Sequence, residues 1–117
     1  MKWLKIIATV VIFWSPLLRA QEIHHHEGQT AEVDRFYSTW MQPDYPTQSC
    51  CNKTDCYSPD KTEFKNGQWW FEHRETGRMF PVPAHKIEQN RDSPDGRNHV
   101  CANPQGYVYC FKIGGGT

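Results

Sequence analysis

Residues 60–84, DKTEFKNGQWWFEHRETGRMFPVPA, decide the fold. Asn66-Gly67 lies between Phe64 and Trp69, and both turn residues tolerate positive φ, the strongest short signal for a hairpin. A two-residue loop there sets Phe64 opposite Trp69, Glu63 opposite Trp70 and Thr62 opposite Phe71. A second two-residue loop at Thr76-Gly77 sets Arg74 opposite Met79, His73 opposite Phe80 and Phe71 opposite Val82. Both registers put Thr62, Phe64, Trp69, Phe71, His73, Phe80 and Val82 on one face. Lys61, Glu63, Lys65, Trp70, Glu72, Arg74 and Pro81 take the other. Side chains alternate along a strand, so a one-residue slip would exchange the two sets. The stretch therefore predicts a three-stranded antiparallel meander, with His73 as a core histidine.

Upstream, Thr30 predicts a helix cap, and Val33, Phe36, Tyr37 and Trp40 repeat at the spacing of one helical face. Glu32 and Asp34 suit the helix N-terminus, and Pro43 ends the segment. Residues 44–49 read as loop. Downstream, residues 83–89 predict a short helical turn with Ile87 inward, and residues 90–98 (NRDSPDGRN) a polar loop. Val100-Cys101 and residues 107–113 read as final strands. The organisation expected is a signal peptide at 1–20, a flexible His-containing tail at 21–29, one domain at 30–113 and a Gly-rich tail at 114–117. The fold class expected is α+β, with one N-terminal helix on a small antiparallel β-meander or partial barrel, stabilised by disulfides.

The leader changes the charge balance. The chain of 117 residues carries 13 Lys+Arg and 13 Asp+Glu. Lys2 and Lys5 precede an apolar run from Ile6 to Leu18, and Ala20 offers a small residue for cleavage, the pattern of a secretory signal. That run is shorter than the roughly 20 residues of a membrane-spanning helix. Removal of residues 1–20 takes away Lys2, Lys5 and Arg19, leaving 10 basic and 13 acidic side chains, a net charge of −3. A phosphate-binding protein normally carries a basic face, so the composition argues against nucleic acid as a partner. The expected location is periplasmic or extracellular, and the expected partner is a protein or envelope component.

Export decides how Cys50, Cys51, Cys56, Cys101 and Cys110 are read. In an oxidising space, cysteines of a small domain are mostly disulfides. Five cannot all pair within one chain. A bond between neighbours 50 and 51 is disfavoured by the peptide joining them, which leaves 12 of the 15 two-bridge arrangements. The favoured pattern bridges the 50–56 cluster to Cys101 and Cys110, closing long loops for roughly 3–5 kcal/mol per bridge. The local bridges Cys51–Cys56 and Cys101–Cys110 are its rivals.

Two other chemistries can be drawn on the same residues. Cys50, Cys51, His99 and Cys101 form the set for a metal-binding or thiol-redox protein, and Cys56 extends the zinc-like group. His24, His25 and His26 offer donors for zinc or copper on the tail. Asp95, His99 and Cys101 can be written as the acid, base and nucleophile of a small hydrolase. Trp70, Arg97 and His99 form a possible recognition surface, although Trp70 also suits a second core against the helix. The leading expectation is a binding or structural role without a cofactor.

The segment Trp69-Trp70 … Thr76-Gly77-Arg78-Met79-Phe80-Pro81-Val82-Pro83-Ala84-His85-Lys86-Ile87 resembles the second half of an SH3-like barrel. The resemblance implies a strand, a turn, a strand and a short 3₁₀ turn over 69–87. Lys86 stands where SH3 domains carry a groove tyrosine, so the resemblance implies barrel geometry and does not license peptide binding. More widely, Cys50-Cys51 … Cys56 … Pro94-Asp95-Gly96-Arg97-Asn98-His99-Val100-Cys101 … Cys110-Phe111 resembles a family of small exported bacterial proteins of uncharacterised activity. That likeness implies export and a shared framework, and carries over no catalytic residue.

Overall fold

The computed structural model describes residues 29–51 and 54–115. The expected leader and His24, His25 and His26 lie outside them. Helix α1 spans Ala31–Thr39; its cap is Thr30, whose hydroxyl accepts the Val33 amide at 3.2 Å. Strands β1 (Met41–Gln42) and β2 (Tyr45–Ser49) form a small hairpin. The segment read as loop is thus a paired, largely exposed strand, and its lack of an apolar alternation hid it. Lys86, only 3% exposed, ties this hairpin down: its ammonium donates to Asp44 Oδ1 at 2.9 Å and Gln42 Oε1 at 3.2 Å.

Strands β3 (Cys56–Tyr57), β4 (Thr62–Lys65), β5 (Gln68–Glu72) and β6 (Met79–Pro81) follow, then a 3₁₀ turn at Ala84–Lys86. Strands β7 (His99–Ala102) and β8 (Val108–Lys112) complete the order. The meander β4-β5-β6 forms, and its first hairpin has the expected register, with Phe64 opposite Trp69 and Thr62 opposite Phe71. Asn66 and Gly67 both take positive φ, as that turn requires.

The second hairpin differs by two residues: Phe71, not His73, faces Phe80. The loop is longer because the His73 amide donates to the Arg78 carbonyl and the Gly77 amide to the His73 carbonyl. Inside it, the Glu75 amide donates to His73 Nδ1 and the Arg78 amide to Thr76 Oγ1. A shift of two keeps every side chain on its face, so His73, Phe71, Phe80 and Val82 are still buried. Phe64 is the exception on that face; on the edge strand it is 61% exposed and lies against Trp69.

The second sheet, β3-β7-β8, is the middle layer. One face meets the meander: Tyr57, Val100, Ala102, Val108 and Phe111 pack with Phe71, Phe80 and Val82. The other meets α1: Cys56, Cys101, Cys110 and Cys50 pack with Val33, Phe36, Tyr37 and Trp40. The architecture is α+β, one helix with small antiparallel sheets held by disulfides, and the two three-stranded sheets do not close into a barrel. The helix is covered by sulfur rather than by Trp70. That residue stays half-buried outside both cores, with the Lys65 ammonium 4.8 Å from its ring centre. Gly114 is held in place, its amide donating to Asn98 Oδ1 at 2.6 Å.

Candidate functional site

The sulfur layer contains two separate groups. Cys50 is bonded to Cys110, joining the end of β2 to β8 with a Cα–Cα span of 5.6 Å. Cys56 is the shared neighbour of the other two cysteines. Its Cα lies 4.2 Å from that of Cys101, its cross-strand partner, and 5.9 Å from that of Cys51, and the structure pairs it with both. The three Sγ atoms all lie within 4.8 Å of one another, and those of Cys51 and Cys101 are 3.9 Å apart. A disulfide sulfur takes one partner at a time, so Cys56 bonds either Cys51 or Cys101 in any one molecule, and the third sulfur stays outside that bond. The favoured long-range pairs Cys50–Cys110 and Cys56–Cys101 are brought together, and so is the local rival pair Cys51–Cys56.

His99 stands two residues before Cys101 on β7, facing the same side. It is 1% exposed and bridges two segments. Asp95 Oδ1 lies 2.7 Å from its Nε2 and the Tyr37 hydroxyl 2.6 Å from its Nδ1. A carboxylate can only accept, so the imidazole carries its proton on Nε2, and Nδ1 accepts from Tyr37. Burial lowers the His99 pKa despite the pull of Asp95 in the other direction. At Asp95, burial acts upward, but His99, the Arg97 amide and Ser93 outweigh it and hold the carboxyl below its ordinary range. Burial, with the Asp95 charge, pushes the Tyr37 hydroxyl far above the usual phenol value. Tyr37 is therefore a fixed hydrogen-bond donor rather than an activated nucleophile.

Around this network opens a cleft of about 390 Å³. Its walls include Thr30 and Val33 of α1, the Tyr37 and Tyr57 rings, Arg74, Arg97, Asp95 and His99. Arg74 is braced by the Tyr57 ring, 4.4 Å from its guanidinium carbon, and by Asp55 at 3.9 Å. Tyr57 accepts the Arg74 amide, and burial raises its pKa, so its hydroxyl remains neutral.

Of the recognition residues expected from sequence, Arg97 and His99 share this cleft, while Trp70 sits apart on the meander. Of the set Cys50, Cys51, His99 and Cys101, extended by Cys56, the structure gathers Cys51, Cys56 and Cys101, whereas Cys50 is bonded to Cys110 and His99 is engaged by Tyr37 and Asp95. Of the drawn triad, Asp95 and His99 do meet, but the group across the imidazole is Tyr37, and Cys101 belongs to the sulfur trio. Tyr37, Tyr57 and Arg74 were not legible as site residues. Tyr37 belongs to the apolar helix stripe, whose edge carries the hydroxyl that reaches His99.

Acidification tests the His99 network. A histidine whose folded pKa lies below its ordinary value near 6.5 takes up a proton more readily when unfolded. Its contribution is complete above that value and is lost as pH falls toward the lower folded value; Asp95 adds a loss of the same sign in the carboxylate range. Urea denaturation of the protein should show falling stability from pH 7.5 to 5, and His99→Gln should flatten that interval. An unchanged slope in the variant would refute the assignment.

No family model, curated protein or solved structure matches the chain.

Proposed function

We propose that this is an exported binding domain that holds an acidic group, a carboxylate of a small molecule or peptide, in the cleft beside His99. The observation that carries the reading is that Arg74, Arg97, Tyr37 and Tyr57 line one concave surface. Arginine donors suit carboxylates because their planar fork matches both oxygens. Asp95 also lines the cleft, with its Oδ1 turned to the His99 ring, the Arg97 amide and the Ser93 hydroxyl. Arg97 and Arg74, the latter with only a long 3.9 Å contact to Asp55, lie on a domain that is otherwise mildly acidic, which favours one anion at one place.

Export is supported by the leader pattern and by a disulfide layer that persists in oxidising compartments. No helix among the described residues is long and apolar enough to cross a membrane. Burial of the Cys50–Cys110 bond under α1 suits a rigid scaffold for a cleft whose walls come from four distant segments.

The reading is tested by nuclear magnetic resonance titration with N-acetyl-alanyl-alanine, using its C-terminal amide as the uncharged control. The acid should shift resonances of Tyr37, Arg74, Arg97 and His99, and the amide should not. Arg74→Ala with Arg97→Ala should weaken binding by roughly 10–100-fold, the loss of a charge-assisted hydrogen bond. Equal shifts from acid and amide, or an unaltered affinity in the double variant, would overturn it.

A further inference from the structure

Outside the cleft, the sulfur trio carries chemistry of its own. We infer that Cys51, Cys56 and Cys101 form an intramolecular thiol–disulfide exchange switch, in which the choice of partner for Cys56 decides whether the protein's remaining thiol is accessible or buried. The premises are the odd count of five cysteines, the closed Cys50–Cys110 pair, and three sulfurs within 4.8 Å of one another. Cys56 faces Cys101 across β3 and β7, and Cys51 reaches it from the turn after β2.

The two pairings are chemically balanced isomers. With Cys56–Cys101 joined, Cys51 holds the thiol. Its thiolate attacks Cys56 Sγ; the Cys51–Cys56 bond forms as the Cys56–Cys101 bond breaks. Cys101 leaves as the thiolate and takes up the proton that Cys51 released. No oxidant or reductant is consumed. The nucleophile needs no large approach, since all three sulfurs lie within 4.8 Å of one another.

The two isomers differ in what they show to solvent. Cys51 is half-buried, whereas Cys101 is 0% exposed beneath α1. Exchange with an outside disulfide requires access to the attacking sulfur. The Cys56–Cys101 isomer therefore presents a reactive thiol at Cys51, and the Cys51–Cys56 isomer withdraws it into the core. The outside co-reactant is a disulfide, RS–SR: Cys51 bonds to one sulfur, and the other departs as RS⁻ and takes the proton. The product is a mixed disulfide at Cys51.

The test uses the full oxidised protein without reduction. Native protein is incubated with oxidised glutathione or a maleimide, digested, and its bridges mapped by mass spectrometry. The expected result is one adduct per chain, on Cys51, with Cys56–Cys101 closed in every modified molecule. Molecules that begin as the Cys51–Cys56 isomer should drain into that product with time. Cys101→Ser holds the Cys51–Cys56 bond and should react natively at less than about a tenth of the wild-type extent. If that variant does not fold, the time course of wild-type mapping decides alone. Modification at Cys101, a fixed fraction that never reacts while Cys51–Cys56 persists, or three thiols retaining zinc would each overturn the inference.

Discussion

Replacing Cys50 and Cys110 together with alanine should lower the stability of the oxidised domain by about 4 kcal/mol, because their bond closes a segment 60 residues apart in sequence. For a domain of this size that is a fall of roughly 15–30 °C in Tm. The effect should be far larger than that of Cys51→Ser, which leaves Cys50–Cys110 intact and fixes Cys56 to Cys101. Cys101→Ser should fall between them. It exchanges a bridge across 45 residues for one across 5, a loss of about 2 kcal/mol in loop-closure entropy. Thermal melts of the three oxidised variants give the order directly. A Cys50→Ala, Cys110→Ala variant as stable as Cys51→Ser would show that another bond is the main staple.

Trp40→Ala should cost about 3–5 kcal/mol, the range for emptying a large aromatic site in a core. Trp40 is fully buried at the end of α1, its ring centre 4.7 Å from that of Phe36. Its indole N–H donates to Glu88 Oε1 at 3.2 Å, and Glu88 is itself 7% exposed. The truncation thus leaves a cavity beside the sulfur layer and removes one of the donors that hold a buried carboxylate. Trp40→Phe keeps most of the ring and loses only that donor, so it should cost about 1–3 kcal/mol. Urea melts of both variants check the ranking; equal losses would assign the whole effect to the hydrogen bond.

The meander was legible because its two faces alternate over three strands, and alternation survives the two-residue shift that the second turn introduces. That turn was not legible in detail, since it is closed by His73 and Thr76 side chains taking backbone amides. Phe64 escaped burial on β4, an edge strand. The helix was read correctly from Val33, Phe36, Tyr37 and Trp40, but not its neighbour. Nothing in local pattern says that four cysteines rather than Trp70 would lie beneath it.

The candidate site was legible only in part, for a related reason. Asp95, Arg97 and His99 are close in sequence and carry their own turn chemistry. Their partners Tyr37 and Arg74 come from α1 and from the turn after β5, at separations that periodicity does not reach. The cysteines show the same division. Parity required an unpaired sulfur, and loop entropy favoured the long bridges. Only the meeting of β3, β7 and the turn at Cys51 shows why one sulfur has two partners.

The structure divides the five cysteines into one Cys50–Cys110 staple and one trio around Cys56. The most direct measurement is acid-quenched denaturation of the native oxidised protein, alkylation without reduction, and mass mapping of every bridge. The expected result is one alkylated thiol per chain, Cys50–Cys110 in every molecule, and Cys56 bonded to Cys51 or Cys101, with the label on whichever of those two is left. A label on Cys50 or Cys110, a bond from either of them into the trio, or more than one free thiol would contradict it.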